Sequence, residues 1–502
     1  MRVSGTAAAP GDRLARHTAY NGVAQFLPQL VGLVTIPFLL GSLGVAAYGV
    51  WALINTLVVV FVSLDGGVSV SAQRFFALYA AQRADDRAVR LTMSALALFL
   101  GLTAALVLLG GPFAQLVLAV TDLPVEVVAG AEFLLRRLGF IVGLLLTSNV
   151  LLGYLRAHNR FALIAVATAL SQGALCLVLW LHRDALTLET MFYVLLAQLG
   201  TYAAVMAVGA SRLLRSMRGR FAGREQLREF WAYASRSIVV NVSGLALLQA
   251  GPLFVAAVAP IEQVGYLAVA TQLASAVRSF PMFALPPMLT VITQTFGSAG
   301  ADAAVRKASS FNRVWVPIIV AYASVTAMGM WFVARGFAGA LPIAQAAAVI
   351  LTVGNCFNLV TGVSTACGNA IGRPGLAARY SAVSATATVI VTGPAAFVGG
   401  AVGAAVAVCL VQAGALIYFL RLLRLEVPDL DRGGSVMHLP SAVAAAAVAG
   451  AGGWVSLSWG ARSPASLLVA LAAVGLGFLA YAALNWRWLG PLRARPGSSA
   501  GA

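Results

Sequence analysis

From Leu43 to Arg83 the chain reads LGVAAYGVWALINTLVVVFVSLDGGVSVSAQRFFALYAAQR. A Gly-rich turn ends at Tyr48-Gly49, and the run that follows, over about thirty residues, is too apolar and too long for anything but a helix that crosses a membrane. One carboxylate, Asp65, sits inside that run, followed at once by Gly66 and Gly67. Arg74 comes next, still short of the Arg83, Asp85, Asp86 and Arg87 cluster that marks the return to water. At about 1.5 Å of rise per residue, Asp65 lies roughly 25 Å from Tyr48, well within the span. An ionisable group at that depth is costly and is read as functional.

The rest of the chain has the same character. Hydrophobic residues make up 60% of it and charged residues 10%, which excludes a soluble globular protein. Its 502 residues leave room for about a dozen or more spans of ~20–30 residues. Hydropathy places them at 19–42, 47–81, 91–112, 125–156, 161–181, 188–210, 237–258, 264–296, 314–334, 342–370, 376–398, 403–422, 438–458 and 465–486. The expected fold is an all-α polytopic membrane protein of about fourteen helices, with both termini on one side.

The charge says which side. The formal net charge of +17 is nearly all arginine, with Lys307 the sole lysine. In a soluble chain it would suggest nucleic acid; here it follows the membrane, so the bilayer and not a nucleic acid is the expected partner. With the termini in the cytoplasm, 26 of the 33 Lys and Arg fall on the cytoplasmic side, against Arg183, Arg335 and Arg462 on the other. That asymmetry over short loops sets the orientation. Arg74, Arg136, Arg137 and Arg278 remain, within spans, and need a reason.

Smaller features predict little chemistry. No short apolar core with a cleavage site precedes the first span, so no removable signal peptide is expected. Cys176, Cys356, Cys367 and Cys409 lie in apolar helices without CxxC spacing and read as small buried hydrophobes. The four histidines are scattered at loops and span ends, so no metal site is expected.

Asn21 and Gln25 lie one turn apart on one face of the first helix, with Pro28 and Pro37 beyond them. They read as packing features at a kink or, alternatively, as ligand contacts. In the fourth span Glu132 and Arg136 form a favourable i, i+4 pair, while Arg137 points about 100° away. These arginines lie roughly 17 Å inside the span, from where they face a cavity or snorkel to the interface. After the sixth span comes the most basic segment, 211–236. There Leu227, Phe230, Trp231 and Ala234 recur at helical spacing among Arg220, Arg224 and Arg228. That is the pattern of a helix lying on an anionic cytoplasmic leaflet.

Beyond it the chain begins again. Asn21, an apolar run and Tyr48-Gly49 are matched by Asn241, an apolar run and Gly265-Tyr266. The cytoplasmic turn from Tyr154 to Arg160 is matched by that from Asn369 to Arg373. Both offsets exceed 210 residues slightly, so two six-helix units keep the same orientation. The expected organisation is a cytoplasmic tail 1–18, an N-lobe 19–210, a basic amphipathic linker 211–236, a C-lobe 237–424, two extra helices 438–486 and a tail 487–502.

Nothing in the spacing of His, Asp, Glu or Ser sets up a nucleophile and base, and GNAIGRPG at 368–375 is a loop at a helix end, so the chain is not expected to be an enzyme. A pathway fits the charges better. Intramembrane arginines facing one another form a cationic interior, and the planar guanidinium matches phosphate. The expected cargo is therefore anionic and phosphate-bearing, held by Arg74, Arg278, Arg136 and Arg137 with Asn21, Gln25 and Asp65 beside them. Asp65 and Arg74 face opposite ways on a straight helix, and a bend at Gly66-Gly67 would be needed to bring them to one cavity.

The segment from Leu43 to Ala77, with its leading LG, its YG, its central D-G and its downstream arginine, resembles the second-helix signature of the polysaccharide (Wzx-type, O-antigen and exopolysaccharide) flippases of the MOP exporter superfamily. The turns YLRAHNR and NAIGRPG are similar to that family's cytoplasmic turns. The resemblance implies two bundles about a central cavity in a bacterial inner membrane. It also implies alternating access that carries an undecaprenyl-pyrophosphate-linked glycan to the outer leaflet. Arg278 matches a helix that bears a cavity arginine in related lipid flippases. Asp65 becomes the candidate for sensing a proton or sodium ion, and glycan polymerases and glycosyltransferases become expected partners. A lipid II flippase, a multidrug exporter of the same superfamily and a non-transporting assembly scaffold are the rival readings.

Overall fold

A computed structural model of the chain describes residues 10–63, 75–76, 79, 85–158, 160–211, 221–282, 284–371, 373, 375–431, 439–459 and 463–485. Among these residues the structure is helical, with no strand. The helices are α1 Pro10–Ser63, α2 Asp85–Leu108, α3 Gly110–Val120, α4 Val125–Ala157, α5 Phe161–Leu181, α6 Leu188–Gly209 and α7 Arg224–Val258. They continue with α8 Ile261–Met282, α9 Leu285–Ala338, α10 Pro342–Val360, α11 Gly362–Ala370, α12 Gly375–Glu426, α13 Leu439–Val455 and α14 Pro464–Leu484.

Ten described stretches are long and apolar enough to cross a membrane, which makes this a multi-pass membrane protein. The longest, Gly375–Glu426, has 52 residues and would measure about 78 Å if straight, against a hydrocarbon core of about 30 Å. It is broken at Gly400 (φ 54°), as α1 is at Gly44 (φ 78°), so each holds two crossings. A left-handed backbone at these points costs glycine nothing. Both breaks fall where hydropathy separates adjacent spans.

The chain divides into two compact units, residues 1–245 with 260–262, and residues 246–259 with 263–502. In the first, α4 packs against α1, α2, α3 and α6, and α5 packs against α1 and α6. Small residues set the approach of α2 and α4. A Cβ on Gly139 would lie 2.7 Å from the Val107 nitrogen, and one on Gly143 would collide with Thr103. Such a G-x-x-x-G face lets helices meet backbone to backbone, where apolar burial gives no drive. The start of α6 is fixed by reciprocal bonds between Thr187 and Thr190, a capping box.

In the second unit α9 is the hub, packed against α10, α11, α13 and α14, while α10 packs against α12. Trp315 donates its indole N–H to the Leu359 carbonyl at 2.9 Å, just before the break between α10 and α11. The terminal pair α13 and α14 meets α9 through glycines: Gly329 faces Val474, Gly453 faces Phe332, and Gly477 lies against Ala445 and Val325.

Boundaries differ from the hydropathy reading at several points, two of them in the stretch from α7 to α9. The run 264–296, read as one span, ends at Met282 and restarts at Leu285. Pro281, Pro286 and Pro287 remove the backbone donors that a continuous helix would need there. The segment before residue 237, read as a separate surface element, is continuous with the following span in α7. No Gly or Pro interrupts the sequence between Arg224 and Ser243, and charge ends an apolar run without ending a helix.

Candidate functional site

The second unit holds a partly open cavity of ≈ 60 Å³ between α7, α8, α10 and α12. Its walls are mainly apolar, and its polar groups are Thr271, Ser275 and Arg278 of α8, Asn355 of α10 and Gln412 of α12. Thr271, Ser275 and Arg278 stand at i, i+4 and i+7, so a single face of α8 carries them. Consistent with that polar face, α8 is not among the ten stretches apolar enough to span on their own.

The neighbours hold this face in place. Tyr322 of α9 donates its hydroxyl to the Val277 carbonyl at 2.7 Å, one residue before Arg278. Asn355 donates from Nδ2 to the Ala274 carbonyl at 3.2 Å, which ties α10 to α8 and leaves its amide oxygen and its second N–H to offer. Gln412 is 4% exposed and accepts a bond at Oε1 from the Tyr380 hydroxyl at 3.3 Å. The Tyr380 oxygen in turn accepts from Asn358 Nδ2 at 2.9 Å. Arg278 and Tyr380 are close enough to interact electrostatically.

Arg278 itself is half-buried. The ion pairs among the described residues are Glu132–Arg136, Arg183–Asp184, Arg313–Asp431 and Arg379–Glu426, and none includes it. A guanidinium inside a membrane bundle costs about 2.5–3.5 kcal/mol even on the mildest scale. Without a carboxylate partner, water or a bound anion must supply what it lacks. The cavity has space for a few waters or a group of similar bulk, and not for a sugar chain.

The other arginines predicted from sequence are placed differently. Arg136 is exposed and bonds Glu132 at 2.5 Å, the i, i+4 pair expected. Arg137 donates to the Phe133 carbonyl at 3.3 Å and lays its guanidinium 3.7 Å from the Phe133 ring centroid. Both are engaged within their own helix, in the first unit. Arg74 and Asp65 lie outside the described residues, as does Arg220, and so do the side chains of Asn21 and Gln25.

At the start of α7, Arg224, Arg228 and Trp231 are exposed at i, i+4 and i+7, while Phe230 is buried against Phe75 at 5.7 Å between ring centroids. Gln226 donates to the Tyr79 hydroxyl at 3.1 Å and the Arg87 carbonyl at 2.9 Å, and Ala222 donates its N–H to Ser94 Oγ at 2.9 Å. The start of this helix is thus packed within the first unit, and Arg224, Arg228 and Trp231 are left outward.

Sequence reasoning missed Asn355, Asn358, Tyr380 and Gln412. The signal was there as two carboxamides three apart within the span 342–370 and one within 403–422, uncharged but still expensive in an apolar helix.

No protein-family model matches the sequence, and no curated protein matches it. Among solved structures, the lipid II flippase MurJ in an inward closed conformation is similar over 94% of this chain and 99% of its own, with 14% identity and a TM-score of 0.66. An inward-facing MATE-family multidrug resistance transporter of the MOP superfamily is similar over 81% of this chain and 96% of its own, at 13% identity and a TM-score of 0.63. A MOP-superfamily transporter from Pyrococcus furiosus, described as having a binding pocket of reversed polarity, is similar over 83% and 96%, at 14% identity and a TM-score of 0.54. At these identities the likeness establishes the fold alone: the chain has the fold of the MOP-superfamily transporters.

Proposed function

We propose that this protein is a transporter that carries an undecaprenyl-pyrophosphate-linked oligosaccharide from the cytoplasmic to the outer leaflet of a bacterial inner membrane by alternating access. Arg278 grips the pyrophosphate. The observation that carries the reading is the Arg278 cavity: a guanidinium with no acid partner among the described residues, set among amides and hydroxyls inside a helical bundle. Its planar fork of donors suits phosphate oxygens in a way a point charge does not. The fold, shared with a lipid II flippase, supports the reading.

The cavity is small, and in this reading the sugar lies outside it. Arg136 and Arg137 are held by Glu132 and Phe133, which moves the weight of anion binding to Arg278. Arg74 as a second cation and Asp65 as the group that senses a proton or sodium ion complete the proposal. So do an N-lobe 19–210 and a C-lobe 237–424 that alternate in access, cytoplasmic termini, and glycan polymerases and glycosyltransferases as partners. The test is export of the glycan in cells whose only copy carries Arg278→Ala. Loss of export with normal protein level is expected; wild-type export overturns the assignment.

A second reading is a lipid II flippase, favoured by the near-complete coverage of both chains in that comparison. Deletion separates the two: a lipid II flippase is essential for growth, whereas loss of a polysaccharide flippase removes only a surface polymer.

A further inference from the structure

Asn358 donates from Nδ2 to the Tyr380 oxygen at 2.9 Å, which leaves the tyrosine proton to be donated. Gln412 Oε1 accepts it at 3.3 Å, with the side chains of Thr361 and Ser384 also beside the hydroxyl. A carboxamide whose oxygen is taken in this way can offer only its NH₂ to whatever stands on its other side. Gln412 is 4% exposed and lines the same cavity as Arg278, while Asn358 and Tyr380 stand behind that lining. The tyrosine ring is itself clamped, 5.2 Å from Phe419 between ring centroids.

We infer that Tyr380 is a positioning residue: by holding the Gln412 oxygen it presents the Gln412 amide N–H as a second oxyanion donor beside Arg278. The inference rests on the anion-binding reading of the Arg278 cavity. It adds that this cavity is a two-donor site in which one donor, the guanidinium, brings charge, and the other, the amide, brings direction. Without Tyr380 the Gln412 amide can turn, and its oxygen would then meet the anion as a repulsive acceptor. Because the polar atoms sit in an apolar bundle, a misdirected amide is costly in a way it would not be in water. Asn358 belongs to the device as well, since its donation is what sends the tyrosine proton toward Gln412.

The test is binding of farnesyl diphosphate to the full-length protein purified in detergent, with melting temperature followed for each variant. Arg278→Gln reports on the anion reading itself. Tyr380→Phe is expected to weaken binding about tenfold, the scale of one hydrogen bond to a charged group. Gln412→Glu still accepts from Tyr380 but replaces the donor by a negative charge, so a loss of about a hundredfold or more is expected. Gln412→Met removes donor and acceptor together, and adding Tyr380→Phe to it should cost nothing further, because the tyrosine acts through the glutamine.

Should Tyr380→Phe fail to fold, Asn358→Asp serves instead. Its carboxylate draws the tyrosine proton away from Gln412 and should bring the same tenfold loss. If Arg278→Gln abolishes binding while Tyr380→Phe and Gln412→Glu bind as wild type, the positioning role is wrong and the anion reading stands. Tyr380→Phe and Gln412→Met losses that multiply would also overturn it. If Arg278→Gln binds as wild type, the anion reading falls and this inference falls with it.

Discussion

Ala401 donates its backbone N–H to Oε1 of Gln263 at 2.7 Å, beside the point where Gly400 (φ 54°) breaks α12. A long apolar helix has to turn back here, and the turn exposes amide groups that no water in the bilayer core can satisfy. A side chain borrowed from α8 meets that need. Gly400→Ala is expected to be the more harmful change, since its Cβ would run into the Gln263 side chain and the left-handed backbone adds about 1–2 kcal/mol of strain. Gln263→Leu loses only the cap, about 1 kcal/mol. Thermal unfolding in detergent should rank wild type, Gln263→Leu and Gly400→Ala in falling order.

The glycines of α4 and α5 predict opposite responses to the same substitution. At Gly139 an added methyl meets the backbone of α2, 2.7 Å from the Val107 nitrogen, so Gly139→Ala forces the helices apart and should lower the melting temperature. At Gly173 nothing lies within 4 Å. There Gly173→Ala gains helix propensity, up to about 1 kcal/mol, and should leave the melting temperature equal or higher.

Arg136 and Glu132 form an exposed pair, with side-chain exposures of 51% and 36%. Pairs of this kind contribute at most about 1 kcal/mol. Arg136→Ala and Glu132→Ala are therefore expected to keep near wild-type export and stability. Export lost in Arg136→Ala at normal protein level would return this arginine to the transport path.

At Arg278, lysine separates charge from geometry. If the guanidinium fork engages two oxyanion oxygens, Arg278→Lys should reduce the proposed glycan export by about tenfold or more, because an ammonium is a point charge without the planar fork of paired donors. Undiminished export would mean that a positive field is sufficient there.

Much of this architecture could be read from the order of residues alone, and the reasons it could not elsewhere are specific. Span ends at Gly44 and Gly400 were visible because apolar runs stop where a glycine turns the backbone. The gap between Met282 and Leu285 was hidden by continuous hydropathy, although Pro286 and Pro287 spell it out by chemistry. The helical stretch around Arg306, Lys307 and Arg313 falls between the hydropathy spans 264–296 and 314–334, because charge ends an apolar run without ending a helix. For the site, charge singled out Arg278, which lines the cavity beside α8. It could not point to Tyr380 or Gln412, whose roles depend on which atom of a neutral group is already engaged. Nor could spacing decide whether Arg137 faced a void, since the ring it lies on is simply the residue one turn before it.

The seams between α9 and the two terminal helices are closed by glycine and alanine, with Ala321, Val325, Ala442, Ala445 and Ala449 at their centre. In water, stripping away such a pair would leave an oily wound and a misfolded chain. In a bilayer, lipid tails wet the bared surface nearly as well as the lost helices did, so what disappears is close packing and the Tyr481 bond to the Pro317 carbonyl. A chain ending before Leu439 should consequently still insert and keep the packing of the helices that precede the pair, melting earlier yet remaining a membrane protein, so the final hairpin is an accessory that evolution could add or discard without redesigning what it leans on.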